Sequence, residues 1–165
     1  MTARSLLAVL PLAAAIAFCS VTTACKNSEA AGTTGQKTAP VAEGKGGPGK
    51  NAADEEAYTV KLTAAGPYTV NKEGAAEIVL TAKAGFHVNA EFPIKFTPEG
   101  GDGIDMKPVG KDGAVVTPEK ATIKLPFTPT RAGNVKVSGK LSFSVCSDKN
   151  CLMEKQILEV AAKVD

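Results

Sequence analysis

From Ala57 onward, apolar residues fall at every second position, and Gly, Pro and Asn punctuate the runs. Tyr58, Val60 and Leu62 alternate with Thr59, Lys61 and Thr63. Ile78 and Leu80, then Phe86 and Val88, then Phe92, Ile94 and Phe96 continue the pattern, followed by Ile123, Leu125 and Phe127. Val135, Val137, Leu141, Phe143 and Val145 form the longest run, and Leu158, Val160, Ala162 and Val164 close the chain. A period of two is the signature of a strand with one buried face, and no segment carries a helical period. The spacing predicts an all-β fold, an immunoglobulin-like antiparallel β-sandwich of about seven strands, over residues 57–165. A core of that size is modest, so one disulfide matters to its stability.

The pattern stops abruptly upstream. Between Lys26 and Glu56 there is one large apolar residue, Val41, among Gly, Ala and Lys. Such a stretch buries too little to offset its ordering entropy, so residues 25–56 are expected to be a disordered tether. Before it, Leu6–Phe18 is an apolar run of signal-peptide length, too short for a membrane span. With the small residues that follow, it marks 1–24 as a signal peptide. Cys25, in "SVTTACKNS", sits after a small residue at the end of that run, and the arrangement resembles a bacterial lipoprotein signal. The resemblance implies that Cys25 carries lipid, so the domain is expected in the cell envelope, facing the periplasm and held to a bilayer through Cys25. Plain signal cleavage would instead leave Cys25 as a free thiol.

Composition adds exclusions. The 19 basic and 17 acidic residues nearly balance, giving a net charge of +2, so nothing draws the chain electrostatically to nucleic acid. The four cysteines are Cys19, Cys25, Cys146 and Cys151. With Cys19 removed and Cys25 acylated, Cys146 and Cys151 have only each other, in a compartment where disulfides persist.

The alternation locates that pair. Lys136, Ser138, Lys140, Ser142 and Ser144 line the polar face of the penultimate strand, and Cys146 falls in line with them. Counting back along the last strand puts Cys151 outside as well. Between them, "SDKN" is four turn-forming residues, which makes the cysteines direct cross-strand partners within disulfide reach. The same register puts Glu154 and Gln156 inside, opposite Phe143 and Leu141, so a bulge or frayed end is expected near Met153. Two readings stay open. A permanent staple over so short a loop contributes about 2 kcal/mol in the chain-entropy model. An outward-facing disulfide is also open to attack by another thiolate.

"VCSDKNCL" resembles the cysteine hairpin of the N-terminal periplasmic domain of the thiol:disulfide interchange protein DsbD. "AGFHVNAEFPIKFTPE" and "ATIKLPFTPTRAGNVKVSGKLSFSVC" are similar to the strands that lead to it. The resemblance implies an immunoglobulin-like fold and a function: cell-envelope thiol–disulfide exchange, with Cys146 and Cys151 shuttling electrons. The chain has no Cys-x-x-Cys and no transmembrane electron-transfer domain, so the implied donor is a separate membrane thiol-disulfide reductase or envelope thiol protein. The alternative is a non-catalytic lipoprotein binding module with a permanent structural disulfide. Cys146 is a candidate attacking thiol, although the sequence does not choose between the two sulfurs.

His87, the only histidine, is expected to face solvent or a sheet edge, and the resemblance implies a packing role for it. A lone histidine with two disulfide-prone cysteines is too few ligands for zinc, so no metal or other cofactor is expected. "GGDGID" lacks the glutamate of a calcium loop and is read as a turn. Lys136, Lys140, Lys149 and Lys155 are read as solvated lysines rather than a thiol-activating cluster.

Overall fold

The structure, a computed structural model, describes residues 49–165. The expected signal peptide, Cys25 and the first part of the expected tether lie outside the described residues.

The alternating segments fold into two antiparallel sheets. The first contains β1 (Ala52–Asp54), β2 (Tyr58–Thr63), β3 (Gly74–Ala82), β8 (Lys120–Pro129) and β6 (Ile104–Met106) in that order, with β7 (Ala114–Val116) also paired to β8. The second is built on β9 (Gly133–Cys146). One side of β9 pairs with β10 (Cys151–Val164), and the other pairs with β4 (His87–Val88) and β5 (Lys95–Pro98). Inward residues of the two sheets meet in one apolar cluster. Leu62, Ile78, Leu80, Ile123 and Leu125 come from the first sheet, and Val137, Leu141, Phe143, Val145 and Leu158 from the second. The predicted immunoglobulin-like sandwich is therefore present. Among the described residues no helix is long and apolar enough to cross a membrane.

Ten strands are found rather than about seven. The three additional ones, at Ala52–Asp54, Ile104–Met106 and Ala114–Val116, are three residues long, too short to display an alternation of their own. β1 lies within the stretch expected to be tether. It pairs with β2 through Ala53 and Val60, and Asp54 forms an ion pair with Lys83. Backbone pairing recruits it, with only the small Ala53 packing against the core, so its sequence carried no alternation to read.

The expected bulge near Met153 is not there. β9 and β10 pair rung by rung from Cys146–Cys151 to Gly133–Val164, and Glu154 and Gln156 do point inward, opposite Phe143 and Leu141. Tyr58 makes this tolerable from across the sandwich. Gln156 Nε2 donates to the Tyr58 hydroxyl at 2.7 Å, and that hydroxyl donates to Glu154 Oε2 at 3.4 Å. The Tyr58 ring packs edge-on against Phe143, with centroids 4.8 Å apart. Burial pushes the Tyr58 hydroxyl well above its ordinary value, so it stays a neutral donor.

One glycine on β9 is sterically required. Gly139 sits on the inward face, where a Cβ would collide with the Phe96 ring and the Thr97 carbonyl. Its absence lets β5 lie flat against β9.

Candidate functional site: the cysteine hairpin and its neighbours

The turn between β9 and β10 is wired by its own side chains. Ser147 N donates to the Asn150 carbonyl at 2.8 Å, and the Ser147 hydroxyl donates to Asn150 Oδ1 at 2.8 Å. Asn150 N donates back to the Ser147 oxygen at 3.3 Å. Local side-chain bonds of this kind are why Ser and Asn occupy turns. The closed turn holds Cys146 and Cys151 opposite each other, with Cα atoms 4.0 Å apart and the sulfurs joined in a disulfide.

The register explains how they meet. Glu159 N bonds Lys50 O, and Lys163 O accepts from Tyr68 N, so odd-numbered residues of β10 turn their backbone groups away from β9. Cys151 is odd-numbered, which makes Cys146–Cys151 a non-hydrogen-bonded pair. Side chains approach closest at such positions.

The two sulfurs do not share an environment. Cys151 is exposed at the start of an edge strand, with a neighbour on one side only. Cys146 is only 4% exposed, because β9 is flanked on both sides. It lies on the outward face, as the alternation predicts, yet it is shielded, and it does not join the contiguous apolar cluster. The expectation that both cysteines would be open to solvent thus holds for Cys151 and fails for Cys146. Parity reports the face a side chain takes, not the strands beside it.

On the far side of Cys146 stands His87. The β4 register pairs His87 with Cys146 and Val88 with Val145. Val88 and Val145 are both buried, so His87 takes the outward face with Cys146, and it is exposed. Packing is carried by Val88 rather than His87, which corrects the role implied by resemblance. Cys151, Cys146 and His87 therefore form one row across three strands. Ser144, two residues before Cys146, is buried on the same face, with its Oγ 3.9 Å from Cys146 Sγ. Ser144 was not singled out from the sequence, since it reads there as one more polar residue of the outward face.

Asn89 closes the row's edge. Its N–H donates to the Ser144 carbonyl at 3.0 Å, and its Oδ1 accepts from Glu91 N and Phe92 N. The side chain thereby turns the strand out of the sheet before β5 re-enters it.

The remaining candidates lie elsewhere. Lys136 pairs with Glu159 at 3.1 Å and Lys140 with Glu99 at 3.7 Å, both toward the opposite end of β9. These are exposed pairs of small energetic weight. Lys149 and Lys155 are exposed. The glycine-rich segment before β6 is a turn, with Gly100 and Gly103 at positive φ. Val109 bridges to Phe96 of β5, and a 3-10 turn at Lys111–Gly113 then leads into β7, which pairs with β8. Lys111 Nζ reaches the Ala90 carbonyl at 2.9 Å. Among the described residues no group of three or more His, Cys, Asp or Glu converges as a metal site.

No family model matches the chain, and no curated protein is similar to it. Among solved structures, it is similar to AggA, the major subunit of aggregative adherence fimbriae type I from Escherichia coli, at 12% identity. That likeness covers 66% of this chain and 95% of AggA with a TM-score of 0.35, too distant to bear on function.

Proposed function

We propose that the domain is a cell-envelope thiol–disulfide exchange module whose working group is the Cys146–Cys151 disulfide. One observation carries the reading: an exposed sulfur on an open strand edge is bonded to a shielded one. Exchange requires in-line access to one sulfur and a leaving thiolate at the other, and this asymmetry supplies a single point of entry.

A thiolate of a reducing partner attacks Cys151 Sγ, and the Cys146 sulfur departs with the bonding electron pair. A second thiol of the partner then attacks its own sulfur in the mixed disulfide and releases Cys151. The partner is left as a disulfide and the domain as a dithiol. In the forward direction, Cys151 thiolate attacks a client disulfide, and Cys146 thiolate resolves the mixed disulfide by attacking Cys151 Sγ. Cys151, not Cys146, is the attacking thiol in this scheme. The sequence resemblance to the DsbD N-terminal domain supports the same chemistry. The partner is a separate membrane thiol-disulfide reductase or envelope thiol protein, and lipid on Cys25 holds the domain at the bilayer.

A second reading has its own support. The near-complete burial of Cys146 also suits a permanent staple in a non-catalytic binding module. The reduction potential of the Cys146–Cys151 couple separates the two. A value above about −300 mV is expected for exchange, and a value below it marks an inert structural bond.

A further inference from the structure

We infer that His87 is a positioning residue for the shielded sulfur, serving as the charge and proton partner of Cys146 once the disulfide opens. The inference rests on the exchange reading for its biological purpose, but its geometry stands alone. His87 and Cys146 are direct antiparallel partners on one face, on the same rung that carries the disulfide. Directly opposed residues have Cβ atoms about 4.5–5.5 Å apart, within reach of an imidazole and a sulfur.

Chemistry gives the pairing a use. When Cys151 Sγ is attacked, Cys146 leaves as a thiolate in a buried position, where an unpaired charge is disfavoured. Cys151 cannot neutralise it, because it is then bonded to the partner. Histidine is the side chain that trades protons near neutral pH, and an adjacent imidazolium stabilises a thiolate. His87 is itself exposed, so its side chain is in contact with solvent. The proton delivered to Cys146 during reduction is returned when Cys146 resolves a mixed disulfide. Ser144 Oγ, 3.9 Å from Cys146 Sγ, offers only a weak, neutral contact.

Other charged groups on the surrounding elements are Asp148 and Lys149 in the turn, Lys155 on β10 and Glu91 after β4. Lys83, Glu119 and Lys120 lie where β3 and β8 pass β4. Among the described residues none forms an ion pair with His87, and Lys83 is engaged with Asp54.

The test uses the full chain carrying Cys19→Ser, Cys25→Ser and Cys151→Ser, so that Cys146 is the sole thiol. Thiolate absorbance near 240 nm is followed against pH, with circular dichroism to verify the fold. Relative to this parent, His87→Gln should raise the midpoint of thiolate formation by about one pH unit, a tenfold smaller thiolate fraction at neutral pH. His87→Lys, which restores a cation, should bring the midpoint back down. An unchanged midpoint in H87Q, or the same raised midpoint in H87K, overturns the inference. This readout is independent of the reduction potential, so the His87 role and the exchange reading fail separately.

Discussion

Along one β-ribbon, the tip and the middle depart from the alternating pattern in opposite senses. At the tip, Cys146 and Cys151 occupy the outward face and are joined covalently. A few rungs on, Glu154 and Gln156 occupy the inward face and are held by the Tyr58 hydroxyl from the opposing sheet. Both are polar or reactive groups on the same two strands, but their surroundings give them different consequences. The inner group, with Gln156 buried and Glu154 half-buried, is tied to a Tyr58 ring packed on Phe143, and its expected consequence is for stability. The outer group has His87 as its register partner and Cys151 at an open edge, the arrangement on which the proposed exchange rests. The distance from architecture to reactivity here is one face of a strand.

Substitutions should separate the two regions. The largest effect is expected for Tyr58→Ala, which removes a fully buried ring and the partner of Gln156. It should cost about 3–5 kcal/mol in urea denaturation while leaving disulfide reactivity in the folded fraction unchanged. Tyr58→Phe keeps the ring and isolates the hydroxyl. Leaving the Gln156 amide unpartnered should cost about 1–3 kcal/mol; a loss as large as that of Tyr58→Ala would mean the network, not the ring, dominates. At the tip, replacing both Cys146 and Cys151 with Ala should lower stability by about 2 kcal/mol and leave a folded sandwich by circular dichroism. A chain that no longer folds would make the bond indispensable and blur the contrast.

Smaller differences sharpen it. In single-cysteine variants, Cys151 should react with a maleimide on the order of tenfold faster than Cys146, following exposure. Equal rates would remove the proposed single point of entry. The smallest effect concerns pH. Burial, with Glu55's charge adding and the Tyr58 hydrogen bond opposing, raises the Glu154 carboxyl above its ordinary 4.5. A raised folded-state value means that its stabilising contribution is complete below the unfolded-state value and is lost as pH climbs through the folded one. The urea midpoint of the parent should therefore fall relative to Glu154→Gln as pH rises from about 4 to 7. A constant difference across that range would mean the carboxyl is not perturbed by folding.

Much of this was legible in the chain. The long runs ending at Val145 and Val164 announce β9 and β10, and "SDKN" announces the turn that makes Cys146 and Cys151 partners. Three things were not legible. β1, β6 and β7 are recruited by backbone pairing and have too few residues to show a period. The inward Glu154 and Gln156 looked like a register fault, because their partner, Tyr58, is 96 and 98 residues away in sequence. The pairing of His87 with Cys146 depends on which strand flanks β9, and side-chain alternation carries no information about strand order.

By itself, the order of residues determined which positions face inward and that the two late cysteines meet across one turn. Both follow from local geometry: a two-residue period and a four-residue loop. Only the assembled sandwich decided that one sulfur is sheltered and the other open, and that an imidazole stands beside the sheltered one. Shelter and company come from neighbouring strands, which long-range hydrogen bonding and core packing select after the local pattern is already set.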